Sequence, residues 1–208
     1  EDPWGGHGDG CNKRKVTLTY FIIDKTIIRM QLIDSHAHIY LDAFADDVEH
    51  VVERAKEAGV ERVYLPNIDS DTVDDMLQLS VDYPGFFYPM IGLHPTSVDE
   101  GFHSELEKLE KRIDKQTFAA IGEIGVDLYW DTTYQKEQEE AFEIQIDWAK
   151  KRDMPIVIHS RDSFDEIFRV VERKNDDKLR GIFHSFSGSM QQARHIIERG
   201  FKIGINGI

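Results

Sequence analysis

Short apolar runs alternate with stretches in which apolar residues recur every three or four positions, and this alternation holds from about residue 30 onward. The runs predict strands at Gln31–Ser35, Arg62–Pro66, Phe87–Leu93, Phe118–Ile124, Pro155–His159, Gly181–His184 and Phe201–Ile205. Between them, Val48, Val51, Val52 and Ala55 form one helical stripe, stopped at Gly59. Leu106, Leu109 and Ile113 form a second. A longer helix, from about Thr133 to Lys151, carries Ala141, Gln145 and Trp148 on one face, with Phe142, Ile146 and Ala149 beside it. Phe164, Ile167, Phe168 and Val171 make the next stripe, and Met190, Ala193, Ile196 and Ile197 the last, ended by Gly200. Strand followed by helix, repeated seven times, indicates an α/β fold with a parallel sheet. An open doubly wound sheet and a closed (β/α)8 barrel share that pattern, so periodicity alone does not separate them.

The polar residues at the strand ends do. The first strand runs into Asp34-Ser35-His36-Ala37-His38, the third into Gly92-Leu93-His94-Pro95 and the fourth into Gly122-Glu123-Ile124-Gly125-Val126-Asp127. The fifth ends in His159-Ser160-Arg161 and the sixth in His184-Ser185-Phe186-Ser187-Gly188. A parallel barrel gathers all its carboxyl ends on one face, where active sites lie, whereas an open sheet strings them along a line. A ring of His and Glu at successive ends therefore favours the barrel. His-x-His on a strand sets two imidazoles on one side, because side chains alternate with period two, and neutral imidazole is a good ligand for divalent transition metals. Glu123 has two oxygens with which to bridge two ions, and His159 and His184 can complete a second coordination shell. Two ions about 4 Å apart polarise a scissile phosphoryl or carbonyl group and ionise water at neutral pH. A lone buried histidine is more often simply hydrogen-bonded, but four histidines and a glutamate at four strand ends point to metal. His50, His103 and His195 fall on helical surfaces and read as solvated, as do the charge runs Glu137–Glu140 and Glu172–Lys174.

Composition narrows the class. The chain has 208 residues, 40% of them hydrophobic and 31% charged, enough for one core but short of the roughly 250 residues of a complete barrel. Lys plus Arg number 25 against 39 Asp plus Glu, a net charge of −14 that opposes broad wrapping of duplex nucleic acid but not a local phosphate site. The single Cys11 excludes an intrachain disulfide and fits the cytoplasm. Lys13-Arg14-Lys15 followed by Val16–Ile23 has the outline of a secretory leader, but the run is short, Asp24 breaks it and no small-residue cleavage site follows. No run approaches the roughly 18 apolar residues of a membrane span. Residues 1–29 lack any period and read as an extension outside the fold, with Met30 as the natural start and His7 and Cys11 as bystanders.

The segments DSHAHI, IGLHP, AIGEIGVDLYW, PIVIHSRD and FHSFSGS stand in the order and at about the spacing seen in the TatD family of metal-dependent deoxyribonucleases, and the chain resembles that family across residues 30–208. The resemblance implies a TIM-type barrel of the wider amidohydrolase group holding one or two divalent ions, with Mg, Mn and Zn all compatible. It implies that His36, His38 and Glu123 hold the first ion and that Glu123, His159 and His184 hold the second. Glu123, His94 and Arg161 are then the catalytic set. His94 and Arg161 bind substrate phosphate, Ser185, Ser187 and Gly188 are further substrate contacts, and Asp127 supports the Glu123 loop.

The pattern departs at its end. The family's eighth strand carries a Glu-Thr-Asp-type motif whose aspartate ligates metal and serves as base, and no counterpart follows Asn206-Gly207. The expected architecture is an incomplete barrel of about seven β/α units, with an unpaired edge between strands seven and one. The expected activity is hydrolysis of phosphodiester bonds in single-stranded DNA or DNA ends from the 3′ side. Two alternatives stay open: hydrolysis of an amide or ester such as a D-aminoacyl-tRNA, and an inactive fragment that binds metal or a partner without turnover.

Overall fold

Among the described residues seven parallel strands follow one another in the order in which they occur in the chain: β1 (Leu32–Asp34), β2 (Val60–Leu65), β3 (Phe87–Pro89), β4 (Ile121–Asp127), β5 (Ile156–Arg161), β6 (Gly181–Phe183) and β7 (Lys202–Ile203). The computed structural model describes residues 31–206. The extension over residues 1–29, the start at Met30, and His7, Cys11 and Val16–Ile23 lie outside the described residues.

The ladder runs β1-β2-β3 and β4-β5-β6-β7, and the two parts meet where Ile91 bridges Ile121. β3 thus pairs with β2 over Phe87–Pro89 and turns to β4 two residues later. A doubly wound sheet reverses its strand order at a switch point; this one never does. The order is that of a TIM-type barrel seven β/α units long, and among the described residues no ladder joins β7 to β1.

Among the described residues six α-helices return the chain between strands: α1 (Val48–Glu57), α2 (Val73–Asp82), α3 (Phe102–Ile113), α4 (Gln135–Lys151), α5 (Phe164–Lys174) and α6 (Met190–Glu198). Each buries one stripe: Leu106, Leu109 and Ile113 on α3, for example, and Ile167, Val170 and Val171 on α5. α2 is absent from the segments predicted by period, although Val73, Met76 and Leu79 bury a regular face. The acidic Asp69–Asp75 stretch masks its first turn. Of the stripe predicted on α6, Ala193 and Ile196 are buried, but Met190 and Ile197 are 73% and 60% exposed, because they sit on the flank of that face. α6 starts at a capping box in which Ser189 and Gln192 satisfy each other's backbone N–H groups.

Every residue of β4 is buried, so its polar side chains have a structural cause. α4 supplies part of it through two glutamines on its inner face. Gln138 Oε1 accepts the backbone N–H of Asp127 at 2.8 Å, which corrects the solvated reading of the Glu137–Glu140 run. Gln145 Oε1 accepts from Leu93 N at 2.7 Å, and its Nε2 donates to Leu93 O at 3.3 Å. The helix therefore splices onto the loop ends that carry His94 and Asp127. Gln145→Leu keeps the volume but strands the buried Leu93 amide. A loss of about 1–3 kcal/mol in urea unfolding is expected, and an unchanged midpoint would show that water reaches Leu93.

Candidate metal centre

Glu123, Gly125 and Asp127 share one face of β4 by the period-two rule, and Gly125 is the register partner of His159 on β5. The His159 ring therefore lies between two carboxylates. Its Nδ1 is 3.0 Å from Glu123 Oε1 and its Nε2 is 2.8 Å from Asp127 Oδ2. Gly125 has φ +144, and a Cβ there would overlap the His159 carbonyl oxygen, so only glycine permits this approach. Asp127 thus anchors His159 directly, where the sequence reading made it a support of the Glu123 loop.

Glu123 is 2% exposed and faces four imidazoles. Its Oε2 lies 3.0 Å from His36 Nε2, 3.7 Å from His38 Nε2 and 3.8 Å from His94 Nε2. His184 stacks on His36 with centroids 3.2 Å apart. The five residues expected to hold metal therefore converge. Their grouping differs from the one the resemblance implies. Ligand atoms of His36, Glu123 and His184 lie within 4.8 Å of one another, and so do those of His94, Glu123 and His159. In this arrangement the His184 ring lies against His36.

Burial raises the Glu123 carboxyl, but hydrogen bonds from His159 and His36 outweigh it and hold the group well below its ordinary value. Burial lowers His159, yet the bonds to Asp127 and Glu123 lift it to about 9. Burial pushes His94 down to about 4. Burial and the neighbouring His36 take His184 to about 4. A carboxylate beside the neutral His184 imidazole is a donor set suited to a divalent transition metal. His36 Nδ1 is buried without a hydrogen-bond partner among the described residues, which leaves this ring a lone polar edge for an ion.

Hydrogen bonds behind the rings decide which nitrogens face inward. His38 Nδ1 is 2.9 Å from Tyr40 Oη, which itself donates to Pro66 O at 2.6 Å. The tyrosine proton is committed to a carbonyl that can only accept, so His38 carries its proton on Nδ1 and turns the Nε2 lone pair toward Glu123. Burial raises the Tyr40 hydroxyl, keeping it protonated. Tyr40→Phe should weaken zinc binding roughly 10- to 100-fold in a calorimetric titration; equal affinity would show that His38 needs no such lock. At His94 the arrangement is reversed. Its Nδ1 accepts from Thr96 N at 3.2 Å, so the neutral ring presents Nε2–H to the site. Asn67, fully buried after β2, donates to Gly92 O at 2.9 Å while its backbone bonds Gly122 and Glu123. Neither Tyr40 nor Asn67 is distinguishable by pattern from an ordinary core residue.

Arg161 does not reach the cluster: its guanidinium lies 3.8 Å from the centroid of the Tyr129 ring. Ser185, Ser187 and Gly188 form the loop from β6 to α6, with Ser187 exposed and Gly188 packed on Phe186. No hydrogen bond joins them to the imidazoles among the described residues. His50 and His103 are solvated as expected, paired with Asp47 and Glu140. His195 is half-buried against Phe168 and 3.2 Å from Glu172, a correction to its solvated reading.

The family described as TatD related DNase matches residues 33–208. An uncharacterized metal-dependent hydrolase of Bacillus subtilis, YabD, is 32% identical over 176 residues, covering 85% of this chain and 69% of its own length. The 3′-5′ ssDNA/RNA exonuclease TatD of Yersinia pseudotuberculosis is 29% identical, covering 79% and 63%. The crystal structure of YjjV, a TatD homologue from Escherichia coli K12, superposes with a TM-score of 0.76 at 31% identity, over 82% of this chain and 66% of that one. The chain thus spans about two thirds of the length of these relatives. With the matched family covering all but the leading residues, and the His/Glu ring in place at the strand ends, the chain belongs to the TatD-related DNase family of metal-dependent hydrolases.

Proposed function

We propose that this chain carries the hydrolytic centre of a 3′-5′ exonuclease acting on single-stranded DNA or DNA ends. The observation that supports it most is a single buried carboxylate, Glu123, shared between His36 and His159 through its two oxygens. His36, His38, His184 and Glu123 would hold one divalent ion, and Glu123 with His159, backed by Asp127, would hold the other. Bound ions of this kind supply Lewis acidity to a phosphoryl group and acidity to water. The imidazole-rich donor set suits Zn or Mn better than Mg, which prefers oxygen ligands and keeps its waters. His94, with Nε2–H facing inward, donates to a substrate phosphate oxygen, and Arg161 meets phosphate at the rim. Relatives named as ssDNA/RNA exonucleases support the substrate class. The single cysteine supports a cytoplasmic setting for this activity; among the described residues no helix is long and apolar enough to cross a membrane.

The test gives the metal-loaded protein single-stranded oligonucleotides and D-aminoacyl-tRNA in parallel. Stepwise loss of nucleotides from the 3′ end, abolished by chelator, is expected. Ester cleavage of the tRNA with intact DNA would replace this reading with carbonyl hydrolysis on the same scaffold.

A further inference from the structure

Directly after β4, two large aromatic side chains stand out into solvent. Tyr129 is 54% exposed and Trp130 69%, their centroids are 4.9 Å apart and their planes cross at 86°. Asp127 fixes them to the site: its Oδ1 accepts the backbone N–H of Tyr129 at 3.0 Å and of Trp130 at 3.3 Å, while its Oδ2 holds His159. One carboxylate therefore sets the position of a candidate ligand and of an exposed aromatic pair. Arg161 lies over both rings, 3.8 Å from the Tyr129 centroid and 5.2 Å from that of Trp130. No carboxylate among the described residues forms an ion pair with it, so the N–H rim of a stacked cation is left for an anion. Below Trp130 a cavity of about 230 Å3 is lined by Pro95, Val98, Tyr134, Asp99 and Asp131. Thr96, Gln138 and Asp127 also line it, so apolar side chains and carboxylates share this cavity.

We infer that Tyr129 and Trp130 form a stacking platform for a nucleobase of a single-stranded nucleic acid, with Arg161 taking the adjoining phosphate. The inference rests on the nuclease reading above and deepens it. The carboxylates of Asp99 and Asp131 beside Trp130 repel phosphate, so the uncharged face of a base is what the aromatic surface accepts. A net charge of −14 leaves little long-range attraction for a polyanion. The hold on a strand then comes from stacking, which every base offers through its π-face. The cation beside the rings adds to it. Because Asp127 ties the platform to His159, a base seated there places its neighbouring phosphodiester toward Glu123.

The experiment measures binding of the full chain in EDTA, where nothing is cleaved. The ligands are a 5′-labelled single-stranded oligonucleotide and a strand of equal length whose last 3′ residues are abasic. The parent protein should favour the base-bearing strand by roughly 5- to 150-fold, the worth of one stacked base. Trp130→Ala should abolish that preference and Trp130→Phe should restore most of it. Equal affinity of the parent for the two strands, no binding of either, or an undiminished preference in Trp130→Ala overturns the platform. Cleavage after metal is added back is scored separately on the base-bearing strand. A base-dependent preference without cleavage keeps the platform and removes the nuclease reading; cleavage without the preference does the reverse.

Discussion

Glu123→Gln should empty both metal positions at once and reduce hydrolysis by at least about 1,000-fold, more than the 10- to 100-fold cost of losing a partner behind a ligand. The reason is geometric. Glu123 Oε2 is 3.0 Å from His36 and its Oε1 is 3.0 Å from His159, so this one carboxylate touches both halves of the ring. The amide preserves the volume but loses the negative charge and one of the two acceptor atoms that both halves share. The neighbouring carboxylate cannot substitute, because Asp127 is committed to His159 Nε2 and to two backbone amides. Metal content after dialysis, with circular dichroism to verify the fold, measures the effect. Retention of two ions, or turnover within tenfold of the parent, would show that the imidazoles suffice and that Glu123 is not the bridge.

The ring could be read from the sequence because two simple rules place it. Period two puts His36 beside His38 and Glu123 beside Asp127, and the parallel order puts all strand ends on one side. The sequence does not reveal which imidazole faces which oxygen. That depends on register, and the pairing of Gly125 with His159 is a long-range fact about β4 and β5. For the same reason the sequence does not show that the His184 ring stacks on His36. Gln145 was in view, lying in the apolar stripe with Ala141 and Trp148, and a glutamine in such a stripe signals a buried amide partner. Tyr40 and Asn67 gave no such signal, since a buried tyrosine or asparagine fits any strand end. α2 was missed because acidic residues flank its apolar positions. The stacking of Arg161 on Tyr129 follows from the turn that Asp127 holds, which no spacing rule specifies.

The metal-free protein should be most stable near pH 6.5 and lose stability in both directions. His159 has its folded value raised to about 9 from an ordinary 6.5. A raised base stabilises the fold fully below its unfolded value, and the benefit disappears as pH climbs through 6.5 to 9. That interval corresponds to about 3 kcal/mol. His94 is the opposite case: its folded value is lowered to about 4, so the unfolded chain takes up a proton first and stability falls as pH drops from 6.5 toward 4. The loss is again about 3 kcal/mol, and His184 adds to it in the same direction. Metal reshapes the alkaline side. An ion held by Glu123 and His159 Nδ1 must displace the proton there, while Asp127 keeps the Nε2–H, so affinity should rise about tenfold per pH unit up to about 9. Calorimetry in buffers of different ionisation enthalpy should count close to one proton released per ion at that position at pH 7. Urea unfolding in EDTA across pH 4 to 10 checks the rest. A profile flat above pH 6.5, together with no proton release on binding, would mean that His159 is neutral in the folded protein and that its two carboxylate bonds do not both persist in solution.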